Sequence, residues 1–216
     1  MYKRQDNVIS NYKGKKVNVI LDTDTYNECD DQFALSYLIK SKDLFNIEAI
    51  TVAPYSHTKR NVKVKDGQEL SYNEILKICN WLNFKTNNKV FKGSMDYIQN
   101  GYDETNDAVN KIIEIALKNN KTYILGIGAI TNIALAIKKE PQIVNKIEII
   151  WLGGNELGYI DNLEYNFRQD VEAVKIVFES EVKLTILPCK NIVSELRIDI
   201  NLSLIHISEP TRHAQI

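Results

Sequence analysis

The chain reads as an α/β protein built on one open, mainly parallel sheet with helices on both faces. Two observations predict this. Short apolar runs of the kind buried strands use alternate with stretches of helical period from Val17 to Leu187. Several of those runs pass through a loop directly into a helix, the order that parallel strands require. Sheets of this class bind ligands beyond the carboxyl ends of their strands, so the loops after the strands are where function is sought.

Val17, Val19, Ile20 and Leu21 predict the first strand, and Phe33, Ala34, Tyr37 and Leu38 recur at helical spacing behind it. Ile47, Ala49, Ile50, Val52 and Ala53 predict a second strand ending at Pro54, and the polar, Lys- and Arg-containing stretch Tyr55 to Gln68 reads as a surface loop. Ser71 and Glu74 have the spacing of a capping box, followed by Ile75, Ile78, Cys79 and Leu82 at i, i+3, i+4 and i+7. Val90 and Phe91 form a short strand. Val109, Ile112, Ile113 and Ala116 predict a helix across Asp103 to Leu117, stopped by Asn119 and Asn120.

A strand over Thr122 to Leu125 then leads through Gly126 to Thr131 into a helix over Asn132 to Lys139, ended near Pro141. Ile147 to Leu152 is a further strand, and Gly153-Gly154-Asn155 lets the backbone turn sharply as it leaves the sheet. A long loop holding Glu164 and Asn166 follows. Asp170 is placed to cap a helix through Phe178, and Leu184 to Leu187 is the last strand before Pro188.

The 216 residues, 44% hydrophobic and 25% charged, fit one globular domain. A net charge of -1 without a strong basic cluster gives no footprint for nucleic acid or an anionic membrane. Cys29, Cys79 and Cys189 are widely spaced and form no CxxC pair, which argues against a disulfide framework or thiolate zinc site and for a reducing compartment. The polar N-terminus lacks the apolar core of a signal peptide, and no run is long enough to span a bilayer. A soluble, cytoplasmic protein is expected, with no membrane partner and with homo-oligomerisation left open.

The densest chemistry lies between the first strand and its helix, where Asp22, Asp24, Glu28, Asp30 and Asp31 fall within ten residues. Like charges this close repel, and in a half-buried loop they need a counter-ion. Ca2+ or Mg2+, hard cations that prefer oxygen ligands, answer that need. Asp30 or Asp31 alone would read as a solvated residue at a helix N-terminus, where Asp is favoured anyway; the whole cluster after a buried strand favours a site.

DTDTYNECDDQFAL, residues 22–35, resembles the metal-binding signature of the nucleoside hydrolases, the inosine-uridine preferring N-ribohydrolase family, whose common form is DTDPGxDDAxA with Ca2+ on the acids. The span from Asp24 to Asp30 is two residues longer here, a form of a divergent branch, and Asn27 and Glu28 inside it have no role in the common pattern. GIGAITNIALAI, residues 126–137, is similar to the family's GPLTNLALAL, and WLGGN with LEYNFRQDVEA to its MGG and EFNxxxDPEA segments.

The resemblance implies an open Rossmann-like sheet, incomplete at the C-terminus, and a Ca2+ ion on Asp24, Asp31 and the backbone carbonyl of Thr131. Asp24 would also serve as catalytic base. Asp30 would be the neighbouring carboxylate at the substrate, Glu164 and Asn166 would hold ribose hydroxyls, and Asn155 is a weaker candidate beside Asn162 for a further ribose contact. Where the family has VAGN this chain has Val52-Ala53-Pro54-Tyr55, so the contact of that asparagine is absent or supplied by His57 or Asn61.

The implied activity is hydrolysis of the N-glycosidic bond of a ribonucleoside by a Ca2+-activated water. The family's last metal aspartate and adjacent histidine lie beyond the region of resemblance, so weak Ca2+ binding and little turnover are expected. Leu202 to Arg212, LSLIHISEPTR, looks like a translated sequencing adapter, which sets residues 202–216 apart as non-native and leaves 1–201 as the domain. ILDTDT also fits the hydrophobic-DxDxT pattern of haloacid dehalogenase-type phosphatases, with Asp22 as nucleophile and Asp24 as acid/base. Against that, the Asp30-Asp31 pair arrives too early. A non-catalytic Ca2+- or nucleoside-binding module is the other alternative.

Overall fold

The computed structural model describes residues 16–196; the expected non-native segment 202–216 lies outside them. Within that span a six-stranded sheet has the order β3-β2-β1-β4-β5-β6, with every pair parallel. Its strands are β1 Val17–Thr23, β2 Phe45–Val52, β3 Val90–Phe91, β4 Thr122–Gly126, β5 Ile147–Leu152 and β6 Lys183–Leu187. The helices between them are α1 Cys29–Lys40, α2 Val64–Trp81, α3 Asp107–Lys118, α4 Thr131–Lys139, α5 Tyr165–Gln169 and α6 Val171–Glu179. This is the doubly wound arrangement expected from the alternating runs, and its strand order reverses between β1 and β4.

Strand periodicity sorts the core into two layers. Val19 and Leu21 of β1 pack with Leu35 and Leu38 of α1 and with Ile75 and Ile78 of α2. Ile20 points to the opposite face, into a larger cluster with Val109 and Ile112 of α3, Ile133 of α4 and Trp151 of β5. Both layers are buried, and at about 25 cal/mol per Å2 of apolar area removed from water they supply most of the folding drive. No helix among the described residues is long and apolar enough to cross a membrane.

Four local expectations are corrected. On α1 the buried face is Asp31, Leu35, Leu38 and Ile39, whereas Phe33 and Tyr37 are 54% and 73% exposed; the apolar residues at i and i+4 mark the wrong side because Asp31 takes part of the inner face. α2 starts at Val64, inside the stretch expected to be loop, so Ser71 and Glu74 lie in mid-helix, buried, and form no capping box. Its first turns are illegible because their inward residues are Gly67 and Gln68, of which Gln68 donates to the Gly93 and Ser94 carbonyls. α3 begins at Asp107, capped by Asn106, whose side chain accepts from the Val109 N–H, rather than at Asp103. Finally, the long loop after β5 contains α5, too short to show a period.

Candidate functional site

The sheet brings the ends of β1, β2 and β4 together at the switch point. Asp22 on β1 is in register with Thr51 of β2 and Gly126 of β4. Its Oδ1 accepts from Thr51 Oγ1 at 2.6 Å and from Asn132 Nδ2 at 2.9 Å. Oδ2 is buried and has no hydrogen-bond partner among the described residues. Burial pushes the Asp22 pKa up to about 6, although both donors pull it down.

Asp24, 1% exposed, follows the strand end. Its Oδ2 accepts from Asn27 Nδ2 at 2.9 Å. The loop after β4 runs close by: a Cβ at Gly128 would stand 3.1 Å from Asp24 Oδ1 and 2.8 Å from the Ala53 Cβ. Asp31, in the first turn of α1, is buried and accepts a short hydrogen bond from Thr23 Oγ1. Burial raises the pKa of both carboxyls, and the charge of Asp31 raises Asp24 further. The ion pairs among the described residues all lie elsewhere, so no Lys, Arg or His neutralises these three acids.

Asn132, fully buried at the start of α4, ties this corner together. Nδ2 donates to Asp22 Oδ1 and to the Val52 carbonyl, and Oδ1 accepts from the Ser94 N–H and hydroxyl. Thr131 beside it is also buried, and its hydroxyl donates to Asp170 Oδ2 at 2.7 Å. Asp170 caps α6 as expected and also accepts from the Ile98 and Gln99 amides, fixing the loop after β3 against α4.

The other expected residues take different surroundings. Asp30 is exposed on the outer side of α1. Glu164 caps α5, its carboxylate accepting from the Gly154, Asn166 and Phe167 amides; burial raises its pKa. Asn166 donates both amide hydrogens to main-chain carbonyls, of Ile127 at 3.1 Å and Leu152 at 3.0 Å, which places it between the loops after β4 and β5. Asn155 is held in its own loop by the Asp161 carbonyl and the Lys190 amide. His57 caps the turn Thr58–Arg60, and Asn61 takes a left-handed conformation just after it.

Several participants were not legible as site residues. Asn132, Thr51 and Arg60 act through contacts 29 to 110 residues apart in the chain. Asn27 alone carried a signal, the extra length of its loop. Tyr55, in place of the common asparagine, is fully buried with a hydroxyl that has no hydrogen-bond partner among the described residues, and burial pushes its pKa up to about 12.

The donors at the switch point are all hard oxygens, which suits a cation such as Ca2+ better than a soft metal. Two buried, mutually repelling carboxylates with no cationic side chain beside them, and a glycine that lets the backbone approach one of them, fit such an ion. No group of three or more His, Cys, Asp and Glu side chains among the described residues is arranged to hold a metal unaided. Main-chain oxygens, water or substrate hydroxyls would complete the shell.

The chain is similar to known proteins in sequence and in fold. The profile of the inosine-uridine preferring nucleoside hydrolase family matches residues 19–205. A probable ribonucleoside hydrolase of Dictyostelium discoideum is 37% identical over 84 residues, 38% of this chain and 25% of that protein. The structure of a purine-preferring ribonucleoside hydrolase from Gardnerella vaginalis aligns with TM-score 0.64 and 27% identity over 78% of this chain and 60% of its own. That of an inosine-uridine preferring nucleoside hydrolase from Bacillus anthracis aligns with TM-score 0.68 and 19% identity over 91% and 72%, a likeness of fold. The matched stretch thus spans about a quarter of the curated relative.

Proposed function

The chain belongs to the inosine-uridine preferring nucleoside hydrolase family, and from that premise we propose that it hydrolyses the N-glycosidic bond of ribonucleosides with the aid of Ca2+. The observation that carries this is the pair of buried carboxylates, Asp24 and Asp31, facing no cationic side chain at the switch point of the sheet. Such a pair is stable as two anions only with a counter-ion.

Asp24 and Asp31 would hold the ion, with the backbone of the Gly128 to Thr131 loop as the third source of oxygen. When bound, Ca2+ supplies positive charge that makes the attacking water more acidic and balances the carboxylates. Asp24 accepts the water's proton. Asn166 has spent both amide hydrogens on the backbone, so its carbonyl oxygen is left to accept from a ribose hydroxyl. Glu164 sits beside it at the start of α5, with lone pairs beyond those its capping bonds use, and completes the sugar contact. The N-glycosidic bond then breaks through an oxocarbenium-like state, as in glycoside hydrolysis; the base departs with the bonding electron pair and is protonated by solvent, and water adds to the sugar's anomeric carbon.

Family membership leaves the phosphatase alternative without support. The test is release of free base or nitrophenol from inosine, uridine and a nitrophenyl riboside in the presence of Ca2+, set against Asp24→Ala. Turnover abolished by the substitution supports the reading. Equal turnover in both proteins overturns it, and tight ribonucleoside binding without base release would leave a binding module. The protein is expected to work in the cytoplasm on small ribonucleosides.

A further inference from the structure

We propose that Asn27, clamped by Arg60, is a positioning residue that holds the Asp24 carboxylate in the orientation required for the ion and the attacking water; the inference rests on the hydrolase reading above. Asn27 lies in the two-residue extension that the common family pattern lacks, and it is 5% exposed. Its N–H donates to the Asp24 carbonyl at 2.7 Å, closing a tight turn, and its Nδ2 donates to Asp24 Oδ2 at 2.9 Å.

The neighbours dictate which end of the amide faces Asp24. Arg60 has donors only, and its Nη2 reaches both the Asn27 main-chain oxygen at 2.6 Å and Asn27 Oδ1 at 3.0 Å. The amide nitrogen is therefore turned toward the carboxylate, which when ionised can only accept. Arg60 comes from a built turn: His57 Nδ1 accepts from the Arg60 N–H at 3.3 Å, and His57 and Val62 pair antiparallel through bonds of 2.9 and 3.0 Å. A side chain from the loop after β2 thus sets the rotamer of a residue 33 positions earlier.

The interposed amide has a chemical purpose. An arginine placed directly on Asp24 would form an ion pair and compete with a divalent cation for the carboxylate. A neutral amide orients Oδ2 and leaves the charge uncompensated, while Oδ1 stays toward the Gly128 loop. Partners of this kind, one step removed from the ion, typically alter metal affinity or activity by about 10–100-fold when removed.

The experiment uses the full chain, stripped of metal, and measures Ca2+ affinity by calorimetry alongside nucleoside hydrolysis and melting temperature for Asn27→Ala, Arg60→Ala and Arg60→Lys. Asn27→Ala and Arg60→Ala are expected to weaken Ca2+ by about 10–100-fold and to lower kcat more than they change KM; Asn27→Ala also lowers the metal-free melting temperature, because it strands the buried Asp24 Oδ2. Arg60→Lys keeps one donor and should fall between them and the parent. Ca2+ affinity within twofold of the parent in both alanine variants overturns the proposal, whatever happens to stability. A parent that releases base but takes up no Ca2+ overturns it together with the Ca2+ reading. Weakened Ca2+ binding in the variants of a parent that releases no base upholds the positioning of Asp24 and overturns only the hydrolase reading.

Discussion

Asn132 Nδ2 donates to Asp22 Oδ1 at 2.9 Å across 110 residues of sequence, and the same amide spans to the Val52 carbonyl and the Ser94 amide. One side chain therefore joins the ends of β1 and β2, the loop after β3 and the start of α4. Asn132→Ala strands several buried polar groups, each at about 1–3 kcal/mol, so a loss of about 3 kcal/mol is expected. In a chain of this size that is a fall in melting temperature of about 6–12 °C. Gly93→Ala should do at least as much harm, because its Cβ would lie 2.1 Å from the Val52 carbonyl and 2.4 Å from Asn132 Nδ2. Thermal melts of both variants within 2 °C of the parent would remove this hub from the account.

In the metal-free protein, stability should fall as pH rises through the range in which Asp22 ionises. Burial raises its folded pKa to about 6, above the unfolded value of 3.8, so the folded state binds the proton more tightly. The stabilisation is therefore complete below about pH 4 and lost as pH climbs through about 6, and a shift of about two units corresponds to about 3 kcal/mol. Asp24 and Asp31, raised by the same burial, act in the same direction. Denaturant melts in chelator at pH 5 and pH 8 measure the slope, and Asp22→Asn should flatten it. A slope identical in the variant would mean that Asp22 is not the group responsible.

The strands and the acidic loop were legible in sequence for a physical reason. A parallel strand covered on both faces is a near-continuous apolar run, and Val19 to Leu21, Tyr123 to Leu125 and Ile149 to Leu152 leave little other reading. Helix faces were less legible where a polar residue shares the inner side, as Asp31 does on α1 and Gln68 on α2. At the site, the carboxylates announced themselves by density, but the residues that orient them did not. Asn132 and Thr51 reach them, and Arg60 reaches Asn27, through folding alone, and an asparagine or threonine in an isolated sequence carries no mark of its partner.

Calcium should raise the melting temperature, and more so at higher pH, because protons compete for the same carboxylates. At an ion concentration of about a hundred times the dissociation constant, the expected gain is about 2.7 kcal/mol. Asp24→Asn and Asp31→Asn should abolish the gain. Gly128→Ala should reduce it and also lower metal-free stability, since its Cβ would stand 2.8 Å from the buried Ala53 Cβ and crowd Asp24 Oδ1. Thermal scans with and without Ca2+ decide this, and an undiminished shift in Asp24→Asn would take Asp24 out of the ion's shell.

Glu164 offers the sharpest separation of a structural from a substrate role, because its carboxylate already receives the Gly154, Asn166 and Phe167 amides at 3.0 to 3.2 Å. As a cap alone, Glu164→Ala would cost about 1 kcal/mol of stability and leave KM for nucleoside unchanged. As a cap that also grips ribose, it should raise KM by tenfold or more, the equivalent of about 1.4 kcal/mol in binding, on top of that loss. Glu164→Gln is the discriminating partner: one side-chain oxygen can still accept from the Asn166 or Phe167 amide and preserve most of the cap, while the amide cannot match a carboxylate's two acceptors at a diol. A KM defect that persists in Glu164→Gln with the melting temperature restored assigns Glu164 to the sugar; full recovery of both assigns it to α5.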